Sequence, residues 1–248
     1  MNDNKLIVRY YADSLGLPRK DEVGVNDRYI SKLNQFWKNK FEIEFLDRAR
    51  ANSTIGDLSK WFVEDNRYYG SSADIIILHE GVVDCAPRPI PNKIRKIIST
   101  LPKFIKNRVI SFLHNNRSKM QKIGIKYYLT KPNDFYFRYK EMVSEMIKIS
   151  RRVYIINIAP TNEMIEKHSP GFSKSISEYN EIIRKISKEI NSNNLFLIDI
   201  NSIILQSSYN LNQLVFEHDG HHITPLCHKI IADKIIEHET QFVKIKHN

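Results

Sequence analysis

Cysteine is nearly absent from this chain. Cys85 and Cys227 are the only two in 248 residues, too few for a disulfide framework, and a reducing compartment is the default for such a sequence. Long apolar runs are also missing: no stretch approaches the roughly 20 residues needed to cross a bilayer. The opening Met1-Asn2-Asp3-Asn4-Lys5 lacks the basic, then apolar, then small-residue order of a secretory leader. The expectation is therefore a cytoplasmic protein with no transmembrane segment. Glycine is scarce, at 8 residues, and no Gly/Ser linker, internal repeat or low-complexity tract divides the chain. A single domain over 1–248 is expected, long enough to bury a sizeable core.

Acidic residues are missing from one region only. Between Lys93 and Lys131 there are eleven basic side chains and no Asp or Glu, in a chain whose net charge is +10. The remainder is thus close to neutral. Such a segment is either a solvated helical face or a local positive field that concentrates anionic partners. Acidic glycans, linked phosphates and a membrane surface are candidates for an anionic ligand at Lys93–Lys131, and nucleic acid is not the expected partner.

What is present is an alternation of apolar runs and amphipathic segments. Leu6–Tyr10, Phe41–Leu46, Ala73–Leu78, Val153–Ile158 and Leu195–Asp199 read as strands. Helices are expected over Asp27–Lys38, Gly56–Glu64, much of Lys93–Arg151, Ser173–Asn191 and Pro225–Phe242. This order predicts an α/β fold in which helices cover both faces of a parallel sheet, with sites at the carboxyl ends of the strands. The stretch 91–133 exceeds one crossover and is expected to add a basic helical insertion or cap.

Chemistry-bearing residues gather at those ends. Ser14 follows the first strand in Ala12-Asp13-Ser14-Leu15, and His218-Asp219-Gly220-His221-His222 precedes the last helix. A serine hydroxyl becomes a useful nucleophile when a base takes its proton and a third group orients that base. The three-residue spacing allows Asp219 to accept from His222 while the other ring nitrogen faces Ser14. Taken singly, a strand-end Ser is most often a turn or cap residue. Clustered His218, Asp219, His221 and His222 also suit a metal, with His79 or Asp84 completing the set. His221 is read as pointing away from Ser14, and Cys85 and Cys227 as small buried residues. Asn162, after the fourth strand, either hydrogen-bonds substrate or caps a helix. Asp84 and Arg88 either pair with one another, or Arg88 meets an anionic substrate.

Four blocks in order resemble the SGNH, or GDSL-type, hydrolases. Ala12-Asp13-Ser14-Leu15 matches the nucleophile block, Gly56 the second-block glycine, Gly81-Val82-Val83-Asp84 the third block and Asp219 with His222 the fifth. The resemblance implies a three-layer α/β/α sandwich with a five-stranded parallel sheet, flavodoxin-like in outline. It implies Ser14 as nucleophile, His222 as base and Asp219 as its orienter, with the amides of Ser14 and Gly56 in the oxyanion hole. No cofactor or metal is called for. Implied substrates are acylated sugars, lipids or thioesters. The Asp-Cys-Ala-Pro-Arg form of the third block resembles members that accompany surface-polysaccharide synthesis, which suggests a lipid-linked or nucleotide-linked glycan precursor. Asp84, Arg88 and Asn162 are the candidate substrate-binding residues.

One departure matters. Val83 stands where the family has an oxyanion-stabilising Asn, and loss of one such donor typically costs about 10²–10³ in rate. Either the two amides suffice, or another donor such as Arg88 or Asn162 replaces the Asn, or the fold serves as a non-catalytic glycan- or phosphate-binding module. An ester hydrolase or acyl (acetyl) transferase is the leading expectation and the binding module the alternative.

Overall fold

The computed structural model describes residues 5–245. Its centre is one five-stranded parallel sheet in the order β2-β1-β3-β4-β5. The strands are β1 (Lys5–Ala12), β2 (Glu42–Ala49), β3 (Ala73–His79), β4 (Ser150–Ile156) and β5 (Leu195–Ile198). The register places Val8 between Phe45 and Ile75, which brings the carboxyl ends of β1 and β3 level at Ala12 and His79.

Inner strands are apolar on both faces because helices cover both. Val8, Tyr10, Ala12, Ile75, Ile77, Tyr154 and Ile156 face one helical layer, and their alternating neighbours Tyr11, Ile76, Leu78, Val153 and Ile155 face the other. The first layer is formed by α1 (Tyr29–Lys38) and α11 (Pro225–Ile245), with the short α9 (Ile200–Leu205) and α10 (Leu211–Leu214). The second is formed by α2 (Ile55–Tyr69), α6 (Pro132–Ile149) and α8 (Phe172–Ile190), with α3 (Val82–Cys85) above β3. The expected three-layer α/β/α arrangement is thus present. Among the described residues no helix is long and apolar enough to cross a membrane.

Local chemistry sets the helix ends. A Thr54–Asp57 capping box starts α2: Asp57 Oδ2 accepts from the Thr54 amide at 3.0 Å, and Thr54 Oγ1 from the Asp57 amide at 3.4 Å. The box starts α2 one residue before the Gly56–Glu64 expectation, and the helix runs five residues past it to Tyr69. Pro132 opens α6 at its first turn, where a missing N–H costs nothing. β4 starts three residues earlier than its apolar run, since Ser150 and Arg152 pair with Ala73 and Ile75. It stops before Asn157, whose side chain turns to donate to Asp199 at 2.6 Å.

The basic stretch forms two helices, α4 (Asn92–Thr100) and α5 (Lys103–Lys122), lying on the surface. α4 buries no side chain and α5 buries only Gln121. Two anchors hold α5: Gln121 Nε2 and Arg117 Nη2 both donate to the Pro87 carbonyl, each at 2.8 Å. Large apolar side chains, Ile97, Phe104 and Phe112 among them, stay exposed between the cations. The remaining helix, α7 (Glu163–His168), follows β4.

Candidate active site

Ser14 opens a one-turn 3₁₀ segment, Ser14–Gly16, immediately beyond β1. The buried Asp13 shapes that turn. Its Oδ1 accepts from the Leu15 amide at 2.9 Å and its Oδ2 from the Val82 amide at 3.2 Å, which ties the Ser14 turn to the loop after β3. Gly16 is required by close packing, since a Cβ there would collide with the Tyr10 hydroxyl and the Ala12 Cβ.

The opposite wall is the Asp219–His222 turn. Gly220 takes φ +75°, a conformation that L side chains rarely adopt, and a Cβ there would strike Asn162 and the backbone of Ile165. Within this turn Asp219 Oδ1 accepts from the amides of His221 and His222 at 3.1 and 3.0 Å. Its Oδ2 meets His222 Nδ1 at 2.8 Å, and His222 Nε2 lies 3.2 Å from Ser14 Oγ. A continuous chain Asp219–His222–Ser14 therefore closes across 208 residues of sequence.

Burial alone would raise the Asp219 carboxyl. The hydrogen bonds from the His222 ring and from the amides of His222 and His221 outweigh it, holding the group well below the usual carboxylate range. Asp219 thus remains an anion, as an orienter of imidazole requires. His221 takes a different place. Its Nδ1 sits 3.0 Å from the Asp219 carbonyl, and burial followed by the neighbouring His222 lowers it to about 4.

Arg19, which no sequence motif marks, adds a fourth member. Its Nη2 lies 2.9 Å from Asp219 Oδ2, and its Nε donates to Glu22 at 2.6 Å. Glu22 also meets His218 Nε2 at 2.9 Å. An arginine in a loop has no periodicity or spacing to reveal it, so only the fold shows this contact.

The cleft at Ser14 has a volume of about 650 Å³, within the range of small-molecule sites. Ala51 and Asn52 line it after β2, Val82 and Val83 after β3, and Arg88, Arg117 and Phe172 close it on the far side. Gly56 is not among the residues that line it. It sits in the first turn of α2, behind the Thr54 cap, with the Arg138 guanidinium beside it, and the residue of this loop on the cleft wall is Asn52, held at φ +61°.

Two other candidates turn inward. Asp84 is fully buried, accepts from the Ile55 amide at 3.1 Å, and makes no ion pair with Arg88 among the described residues. Asn162 caps α7 at the Met164 amide (2.9 Å). It also clamps the Asp219 turn, since its Nδ2 donates to the Phe216 carbonyl at 3.2 Å and its amide to that of Gly220 at 3.0 Å. The buried Asp84 is turned away from the cleft, a correction to the sequence expectation, and Asn162 takes the capping alternative and is not among the residues that line the Ser14 cleft. Arg88 does reach the cleft.

Beneath the site lie three buried carboxyl groups, Asp13, Glu80 and Asp84. Burial raises Asp13 to about 7 and Asp84 to about 6, and burial with repulsion from those two raises Glu80 well above its ordinary value. Their oxygens hold the amides of Leu15, Val82, Gly81 and Ile55, so this cluster fixes the loops around the nucleophile turn. Cys85 and Cys227 are buried free thiols, as expected.

Asp219, His221 and His222 bring ligand-type atoms within 4.8 Å of one another. The further ligands expected for a metal do not join them: His79 Nδ1 is engaged with the Tyr29 hydroxyl at 3.0 Å, and Asp84 is turned to Ile55.

No family model matches the sequence, and no curated protein matches it. Solved structures do match over nearly the whole chain. A lipase/acylhydrolase from Enterococcus faecalis superposes with a TM-score of 0.63 at 11% identity, covering 94% of each chain. Axe2, an acetylxylan esterase from Geobacillus stearothermophilus, gives 0.59 at 13% identity, over 94% of this chain and 93% of that one. Two solved forms of that esterase are catalytic mutants in which a serine or an aspartate is replaced by alanine. A member of the lipolytic G-D-S-L family from Veillonella parvula gives 0.58 at 13% identity, over 94% of this chain and 97% of that one. With its strand order and its three layers, the chain has the fold of the GDSL, or SGNH, lipase-acylhydrolases and acetylxylan esterases.

Proposed function

We propose that this protein is a serine-dependent ester hydrolase or acyl transferase acting on an acylated sugar or glycan precursor. The observation that carries the reading is the hydrogen-bonded chain Asp219–His222–Ser14 at the carboxyl end of the sheet. Ser14 Oγ attacks the acyl carbonyl carbon while His222 Nε2 takes the hydroxyl proton. The tetrahedral oxyanion collapses, the alcohol leaves with the proton held by His222, and the acyl group stays on Ser14. Water then attacks the acyl-enzyme, giving its proton to His222, and the carboxylic acid departs as Ser14 is reprotonated. A sugar hydroxyl in place of that water makes the same site a transferase.

Oxyanion stabilisation falls to backbone amides in this scheme. Val83 offers no side-chain donor, and Gly56 is not among the residues that line the cleft. The Ser14 amide and Asn52 are the proposed pair, with Asn52 supported by its place on the cleft wall in a left-handed turn. The sugar preference draws on the acetylxylan esterase neighbours, and the basic 91–133 segment is proposed as a cap over the acceptor side. Turnover of p-nitrophenyl acetate by the wild type, abolished in Ser14→Ala, is the test. Equal turnover by the variant would sink the mechanism.

A further inference from the structure

Beside the cleft, under α4 and α5, lies a second cavity of about 400 Å³. Ile90, Ile98, Ile110 and Leu113 make it largely apolar, and Arg95 and Lys106 also line it. Arg88 and Arg117 belong to both cavities and stand between them.

Neither guanidinium forms an ion pair among the described residues, and the nearest carboxyl to act on Arg88, Asp84, is turned to the Ile55 amide. Arg117 gives Nη2 to the Pro87 carbonyl at 2.8 Å and to Ser169 Oγ at 3.0 Å, neither of them an anion. Arg88 makes no side-chain hydrogen bond among the described residues, and the Nε of each arginine is buried without a partner. The whole Lys93–Lys131 segment supplies no carboxylate. Burial, with repulsion from Arg95 and Arg117, lowers Arg88 to about 10 despite the attraction of Asp84. Half-buried cations left unpaired in this way are costly unless an anion arrives. An anion alone, however, leaves the apolar wall without a partner, and a neutral lipid leaves the arginines without one.

We propose that the arginine pair and this cavity form a second subsite for an anionic amphiphile. Its phosphate or carboxylate sits between Arg88 and Arg117, and its apolar chain runs along Ile90, Ile98, Ile110 and Leu113. The inference rests on the hydrolase reading of Ser14 for its place in a reaction. There it narrows the substrate to an ester whose alcohol or acyl part carries an anion joined to an apolar chain, with the polar, reacting part in the Ser14 cleft.

Calorimetric titration of the full chain with decyl phosphate, kept below its micellar concentration, tests this without any turnover. Wild type and Ser14→Ala bind it alike, while Arg88→Gln and Ile110→Asp each weaken it by at least about tenfold. Arg88 keeps its place through backbone bonds to Tyr127 at 2.8 and 3.0 Å, so Arg88→Gln retains the fold, and an unchanged melting temperature checks this for both variants. Inorganic phosphate and decanol each bind at least about tenfold more weakly than decyl phosphate. Co-sedimentation with phosphatidylglycerol vesicles, lost in the same two variants, identifies a bilayer as the amphiphile's source; binding of the monomer alone identifies a soluble one. No binding of decyl phosphate, or binding undiminished in both variants, overturns the proposal, as does phosphate or decanol binding equally well. Loss of Ser14 reactivity with decyl phosphate binding intact would overturn the hydrolase reading alone.

Discussion

Arg19 Nη2 and His222 Nδ1 converge on one oxygen, Asp219 Oδ2, at 2.9 and 2.8 Å. The arginine comes from the turn that follows the nucleophile, so the two ends of the chain are joined twice: through Ser14 with His222, and through Arg19 with Asp219. A carboxylate held by a guanidinium and by its own turn's amides has little freedom to rotate away from the imidazole.

Arg19 is therefore a positioning residue. Arg19→Gln is expected to lower kcat about tenfold, the magnitude of one charge-assisted hydrogen bond, with Arg19→Lys restoring part of the loss. Ester hydrolysis at saturating substrate measures this. A kcat unchanged in Arg19→Gln would show that the amides of His221 and His222 hold Asp219 unaided.

Asp219→Asn keeps the shape of the turn while removing the charge that selects the His222 tautomer. In a serine protease the equivalent change costs about 10⁴ in kcat, and a loss on the order of 10³–10⁴ is expected here. Loss of less than about tenfold in kcat would mean that Asp219 is only a structural member of its turn.

Asn52 separates two kinds of oxyanion donor. At φ +61° the backbone is as comfortable for glycine as for asparagine. Asn52→Gly is expected to retain activity within about threefold if the amide is the donor, whereas loss of a side-chain donor costs about 10²–10³. Asn52→Ala strains the turn and is expected to lower both stability and rate. Full activity in Asn52→Ala would exclude this loop from oxyanion stabilisation.

The buried carboxyls make stability depend on pH in a defined direction. Asp13 near 7, Asp84 near 6 and the strongly raised Glu80 all lie above the ordinary carboxyl value of about 4. Between pH 4 and about 7 the folded chain binds more protons from these groups than the unfolded one, so their contribution to stability falls as pH rises. Glu80→Gln removes the proton uptake that this group's burial demands on folding and is expected to raise the urea midpoint more at pH 8 than at pH 5. A variant that loses midpoint equally at both pH values would mean that the Glu80 bonds to Ser53 and Gly81 outweigh the repulsion.

Much of this site is legible in the sequence, and the illegible parts have physical reasons. Ser14, Asp219 and His222 announce themselves because strand ends and a three-residue carboxylate–imidazole spacing are local patterns. The parallel sheet is equally plain, since inner strands buried on both faces must be continuously apolar. α3, α7, α9 and α10 escape notice because four to six residues carry no periodicity. Gly56 matches a motif by type, while its place in the first turn of α2 depends on the Thr54 capping box. Asn162 reads as a pocket residue, yet its bonds to Phe216 and Gly220 depend on two loops meeting across more than fifty residues, which no local signal encodes. Arg88 and Arg117 are of the same kind: the charge is visible in the chain, and the lack of an ion-pair partner among the described residues only in the fold.

Labelling of the purified protein with a fluorophosphonate probe, beside Ser14→Ala, tests the central claim most directly, because the probe reacts only with an activated serine. Labelling of the wild type that vanishes in the variant is the predicted result. An unlabelled wild type, folded and still able to bind a glycan, would contradict it and leave the fold as a binding module.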